Sequence, residues 1–187
     1  MLPTEPIGSL PRPPALQAAM AAHAAGTLPA DALEAAFEDA VINTLRRLEE
    51  AGEQVVTDGE QRKPSFATYP IAGLTTLASD GVTIPFADGH TRQLPVLTGR
   101  FQYQTYAASY LAAARRHTQR PLKQAVISAS ALSLLYPGAG VPGYDRDAFL
   151  ADLLDGAEQD LRRCLDAGAH AVQIDFTEAR LSLKLDP

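Results

Sequence analysis

One cysteine, Cys164, stands alone among 187 residues. A single thiol excludes an internal disulfide framework and leaves no zinc-finger spacing, and it points to a reducing compartment. Positive charge is also in short supply: 16 Lys and Arg against 22 Asp and Glu give a net charge of −6. That balance argues against nucleic acid as the main partner, because polyanion binding normally shows a basic face or stripe. The adjacent basic pairs Arg46-Arg47, Arg115-Arg116 and Arg162-Arg163 fall on predicted helices and read as solvated faces. No run approaches the roughly 20 apolar residues of a membrane span, and "MLPTEPIGSLPRPP" at the start has neither a positive leader nor an apolar core. The expectation is a cytoplasmic protein with no membrane and no nucleic-acid partner.

What is present suits one sizeable core: 46% of residues are hydrophobic and 20% charged, within the ordinary range for a globular domain. A single domain over 1–187 is expected. After the proline-broken start, "ALQAAMAAHAAG" predicts a short helix ending at Gly26. "ADALEAAFEDAVINTLRRLEEAG" predicts a longer one: Asp31 and Glu34 suggest a capping box, and Leu33, Phe37, Ala40, Val41, Thr44, Leu45 and Leu48 recur at three and four. A brief strand surfaces at Asp58, Gly59 and Glu60. "QRKPSFATYPIAGL" reads as a loop, and two alternating runs around Asp88-Gly89 read as a hairpin. A helix over about 105–117, a buried strand within "LKQAVISASALSLL", the turn-rich loop "YPGAGVPGY" and a second long helix from Asp145 to Gly168 follow.

An internal echo organises these elements. "RRLEEAGEQVVTDGE" (46–60) and "RRCLDAGAHAVQIDF" (162–176) are both helix-to-strand units turning on Ala-Gly, where glycine takes φ > 0. Repeated units of this kind build a parallel sheet with helices outside, and polar groups at the C-terminal strand ends line its ligand site. Asp58, Glu60 and Asp175 occupy those ends. The fold class is therefore α/β of the (β/α)8 TIM-barrel type. A full barrel takes about 250 residues and only four or five parallel-type strands are found, so the chain covers about the first half. Such a half would expose strand edges and apolar surface, favouring association.

Three stretches in order, "PIGSLPRP", "VVTDGEQRKPSF" and "AVQIDFTEARLSL", resemble the catalytic barrel domain of the cobalamin-independent methionine synthase family, with "LPVLTGR" and "PLKQAVISASALSLLYP" falling between them. The resemblance spans essentially the whole chain and corresponds to the N-terminal half of that barrel. It implies transfer of a methyl group from 5-methyltetrahydrofolate or another donor to homocysteine or a related thiol. By position, Ile7, Gly8 and Ser9 match the segment that grips the substrate through backbone and hydroxyl groups. Glu60 and Asp175 match carboxylates that hold its ammonium, for which charge-assisted hydrogen bonds are the strong choice. Zinc, which makes the thiolate available at neutral pH, is expected only in the complete barrel. The family's zinc ligands lie in its second half, and no metal ligand is assigned in this chain.

Two departures from the family bear on the donor. The folate-stacking tryptophan would fall near Leu135, and the chain has no tryptophan; Tyr136 is the substitute candidate. Arg180 keeps an arginine of the last motif, but Leu181 stands where an acid follows it in the family. Both argue against the usual polyglutamyl-folate recognition and leave Tyr136 and Arg180 as candidate substrate or donor contacts. The Arg62-Lys63 pair reads either as a contact for an anionic tail or as a solvated loop pair. Cys164 reads as a core or helix-surface thiol, and none of His23, His90, His117 and His170 reads as a ligand. Expected partners are a small thiol substrate and either a complementary half-barrel chain or a second copy. The chain is then a truncated piece, a split-gene product or a processed part of a longer protein. Two other classes remain open: a non-catalytic half-barrel interaction protein and a uroporphyrinogen-decarboxylase-like barrel enzyme.

Overall fold

The structure is a computed structural model and describes residues 4–81, 83–85, 89 and 91–176. Its helices are α1 (Pro14–Ala24), α2 (Ala30–Glu50), α3 (Ala108–Arg115), α4 (Ala129–Leu132) and α5 (Arg146–Asp166). Its strands are β1 (Leu77–Ala78), β2 (Thr83–Pro85), β3 (Thr91–Gln93), β4 (Val96–Leu97), β5 (Lys123–Ile127) and β6 (Ala171–Asp175). The chain divides into two compact units. The first comprises Met1–Phe66, Ala107–Ala125 and Arg163–Gln173, and the second Ala67–Tyr106, Val126–Arg162 and Ile174–Pro187.

In the first unit, α2 buries Ala40, Val41, Thr44 and Leu45, the stripe that its three-and-four spacing predicts. Val41 and Leu45 join Val56, Leu111, Ala114 and Leu122 in one apolar cluster against which Leu48 and Ala169 pack. The capping box does not form. Pro29 is the N-cap residue of α2 and offers no side-chain acceptor; Asp31 falls inside the first turn and bonds only the next amide, Ala32 N, while Glu34 pairs with Arg62. The expected strand before Asp58 contracts to a single parallel bridge, Val56 with Leu122, closed by Val56 N to Pro121 O and Lys123 N to Val56 O, both 2.9 Å. Leu122 also accepts from His170 N at 2.7 Å, so the segments entering β5 and β6 lie side by side. Both Ala-Gly turns behave as their sequence demands, with φ of 88° at Gly52 and 85° at Gly168.

In the second unit, Ser128 N donates to Asp175 O at 3.1 Å. Residues 122 and 128 thus meet 170 and 175 in the same order, and β5 and β6, which form one two-stranded sheet, run parallel. The strand expected over 122–135 is shorter than its apolar run: β5 ends at Ile127, and Ser128 turns the chain into α4 by accepting from Ala131 N. As expected for a hairpin, β2 and β3 pair antiparallel, and β1 pairs with β4; Asp88 lies outside the described residues. No closed barrel is formed among the described residues. The unit's core is aromatic: Phe101 meets Tyr103 and Phe149 edge-on with ring centroids 5.7 and 5.5 Å apart. Tyr136 stacks on Phe149 at 5.1 Å.

In the same unit the Tyr69 hydroxyl donates to the Asp160 carboxylate, with both residues buried. Burial and the adjacent acid push the Tyr69 phenol far above its usual range, so it stays a donor at any working pH. Removing that donor from a buried acceptor costs about 1–3 kcal/mol. Tyr69→Phe is expected to lower the urea-unfolding free energy by that amount; an unchanged midpoint and slope would show that Asp160 does not depend on it.

Candidate functional site

The site grows out of the turn that follows Val56. Thr57 Oγ1 donates to Gly8 O at 3.1 Å and accepts from Gly59 N at 3.2 Å. Asp58 Oδ1 accepts from Glu60 N at 2.9 Å, the short-range side-chain-to-backbone bond that Asp makes readily in turns. Glu60 itself has φ of 55°, a left-handed conformation that costs a residue with a Cβ about 1–2 kcal/mol. It is retained because the surroundings hold it: Lys63 N donates back to Glu60 O at 3.2 Å, closing a second turn on the first. Backbone strain of this kind concentrates at functional sites.

The N-terminal segment is sewn across this turn. Leu10 N donates to Gly59 O at 3.0 Å, and Gln61 Nε2 donates to Leu10 O at 3.2 Å. Arg12 Nε donates to Gln61 O at 3.3 Å, and its Nη2 donates to Lys63 O. At the other end of the segment Glu5 pairs with Lys123 at 3.1 Å. Gly8 is pressed so closely that a Cβ there would stand 2.8 Å from Glu60 Oε1 and 3.0 Å from Ala125 Cβ.

Glu60 is thereby folded inward, 4% exposed, with Oε2 3.5 Å from Lys63 Nζ. Lys63 is buried too, and its Nζ donates to Ala125 O at 2.7 Å. Burial raises the Asp58 carboxyl above its usual range, against the opposing pull of the Glu60 amide and the Lys63 ammonium. Two buried carboxyls and one ammonium thus share this turn, and a carboxylate fixed in this way is a strong acceptor for a cationic or ammonium-bearing group.

The candidates separate clearly by environment. Gly8 and Glu60 are brought together in the first unit. Ile7 beside them is 70% exposed and Ser9 is exposed. Asp175, the last residue of β6, belongs to the second unit and is half-buried, its carbonyl engaged by Ser128 N. Tyr136, in the same unit, spends its hydroxyl on Tyr144 O at 2.8 Å and its ring on Phe149. With Gly140, Val141, Pro142 and Tyr144 it lines an open hollow of about 670 Å³. Glu178, Arg180 and Leu181 lie outside the described residues, as does His90.

Arg62-Lys63 is not a solvated pair. Arg62 turns outward to Glu34 and over the Phe37 ring, whereas Lys63 turns inward, 1% exposed. Sequence inspection offers Lys63 only as part of a possible contact for an anionic tail and gives Asp58 nothing beyond its place at a strand end; the signal available is the Asp-Gly-Glu-x-x-Lys spacing, which a double turn converts into one cluster. Cys164 is fully buried, as a core thiol. Among the described residues no group of three or more His, Cys, Asp and Glu side chains is placed to hold a metal ion. The described residues therefore do not fit zinc, and no chemical step is derived through it. No described helix is long and apolar enough to cross a membrane.

No family model matches the chain. It is 37% identical over 103 residues, 55% of its length, to the methionine synthase of Sulfolobus acidocaldarius, covering 30% of that protein. To the methionine synthase of Sulfurisphaera tokodaii it is 44% identical over 69 residues, 37% of its length, covering 20% of that protein. Its fold is similar to that of a B12-independent methionine synthase from Shewanella sp., solved in complex with selenomethionine, with a TM-score of 0.71 at 21% identity; the match covers 93% of this chain and 51% of that one. The chain thus resembles methionine synthases in sequence and fold, and spans under a third of these curated relatives and about half of that solved structure.

Two substitutions probe this turn. Gly8→Ala forces its new methyl against Glu60 and Ala125; overpacking of this kind costs about 1–3 kcal/mol, expected as a lower thermal midpoint, and an unchanged midpoint would contradict the close approach. For Asp58 the folded-state pKa is raised, so a penalty for holding the charge is present above the folded pKa and vanishes as pH falls below the unfolded value of 3.8. Asp58→Asn keeps an acceptor for Glu60 N. Its stability relative to the unsubstituted chain should be higher at pH 7 than at pH 4; the opposite trend in urea melts would show a carboxyl whose pKa is lowered.

Proposed function

We propose that this chain forms part of a methionine-synthase-like methyltransferase, contributing the substrate-binding portion of a (β/α)8 barrel of which it is about the first half. The observation that carries the proposal is the Glu60 carboxylate, buried against Gly8 on segments stitched together by the fold. The sequence likeness to methionine synthases supports the same assignment. Glu60 accepts hydrogen bonds from the ammonium of homocysteine or a related amino-acid thiol. On the motif resemblance, Asp175 is offered as a further carboxylate for an amino-acid ammonium. Backbone groups of Ile7 and Gly8 and the Ser9 hydroxyl hold the rest of the amino-acid head.

In the complete protein, zinc would supply thiolate activation from residues outside those described. The donor passes its methyl group to sulfur; Tyr136 and Arg180 are the residues offered for contact with it. A complementary half or a second copy of the chain completes the barrel. The residues described here bind and orient: they fix the amino-acid head so that its thiol points away from Glu60 toward the remaining half of the site.

A hydrogen bond to a charged group contributes about 1.5–3 kcal/mol, or about tenfold to hundredfold in affinity. Isothermal titration of L-methionine into the 187-residue chain is expected to show binding that Glu60→Gln weakens by that factor. Equal affinity of the two chains for L-methionine would remove Glu60 from the ammonium site.

A further inference from the structure

We infer that Lys63 is the positioning residue of Glu60: a built-in ammonium, tethered to the Ala125 carbonyl, that holds one oxygen of the buried carboxylate so that the other faces Gly8. The inference rests on the substrate-binding role proposed for Glu60 but concerns a group to which that proposal gives no part.

Geometry carries it. Glu60 divides its two oxygens, Oε2 lying 3.5 Å from Lys63 Nζ and Oε1 lying 2.8 Å from where a Cβ on Gly8 would stand. Lys63 is anchored independently of Glu60, since its Nζ donates to Ala125 O at 2.7 Å and its own carbonyl accepts from Arg12 Nη2. The left-handed backbone at Glu60 and the turn bond from Lys63 N to Glu60 O bring the two side chains back over one another. Neither partner is flexible surface decoration: their side chains are 1% and 3% exposed.

The described charged groups along this seam come from three segments. The turn supplies Asp58 and Lys63, the N-terminal segment Glu5 and Arg12, and β5 Lys123. Arg12 is committed to the carbonyls of Gln61 and Lys63, and Lys123 to Glu5. Among these described groups, Lys63 is thus the cation paired with Glu60. A buried ion pair is weak evidence for stability, because desolvation offsets its attraction. Fixing one oxygen of a buried carboxylate beside a glycine is a function that this pair performs and a packed apolar pair could not.

The test follows the Glu60 carboxyl carbon by 13C NMR across pH in the full 187-residue chain, with the signal assigned through Glu60→Gln, and adds L-methionine titrations at neutral pH. In Lys63→Met the Glu60 signal is expected to titrate at least about one pH unit higher than in the unsubstituted chain, which corresponds to about tenfold in ionisation equilibrium, and L-methionine affinity is expected to fall by a similar factor. Lys63→Arg should restore both. A folded Lys63→Met chain whose Glu60 titration is unmoved would overturn the inference and leave Lys63 a packing residue. Should Lys63→Met fail to fold, the double variant Glu60→Gln with Lys63→Met is expected to recover folding, because both buried charges leave together; a double variant as unfolded as the single one would equally overturn it. If Glu60→Gln binds L-methionine undiminished while Lys63→Met still moves the Glu60 titration, the ligand assignment fails and the role of Lys63 stands.

Discussion

The N-terminal segment crossing the 57–63 turn is the constraint from which the rest of the site follows. Neither piece has regular secondary structure of its own, so each must satisfy its backbone groups elsewhere. They do so on each other, through Leu10 with Gly59, Gln61 with Leu10, Thr57 with Gly8, and Arg12 with two turn carbonyls. Once that seam closes, Gly8 is pinned over Glu60 and the left-handed kink at Glu60 has no way to relax. The carboxylate is driven into the interior because the backbone on both sides is already committed.

Placing charge in such a position is costly, and the arrangement of cations offsets it. Lys63 and Lys123 each reach a carboxylate, Glu60 and Glu5 respectively, in a setting where water screens little and Coulomb forces are strong. The same low-dielectric surroundings that penalise Asp58 sharpen what Glu60 can do for an incoming ammonium. Rigidity adds to this: an acceptor that is already oriented loses less of the binding free energy to ordering. The second unit answers to different physics, with its aromatic core of Phe101, Tyr103, Tyr136 and Phe149 beside a hollow lined by Tyr136 and Tyr144, whose hydroxyls are already spent internally.

Much of this is legible in the sequence. The two long helices follow from apolar spacing, and the Ala-Gly echo locates both helix exits because only glycine takes those backbone angles cheaply. Glu60 and Gly8 stand out through the motif resemblance, and the structure brings them together. What escapes has physical causes. The capping box at Asp31 and Glu34 loses to Pro29, which takes the cap position and places Asp31 two positions too deep. The strand through "LKQAVISASALSLL" is shorter than its apolar run because such a run does not show its own end; Ser128, by capping α4, ends it. Lysine is usually exposed, and nothing local in the sequence shows that a left-handed glutamate three residues earlier turns Lys63 inward.

The central claim is that the Glu60 carboxylate, buried beside Gly8, is the anchor for an amino-acid ammonium. A crystal structure of the chain grown with L-methionine tests this most directly. The account predicts the ligand nitrogen within hydrogen-bond distance of Glu60 with the N-terminal segment still laid across the turn. Methionine bound elsewhere, or a Glu60 side chain rotated away from Gly8 with its seam to the N-terminal segment undone, would contradict it.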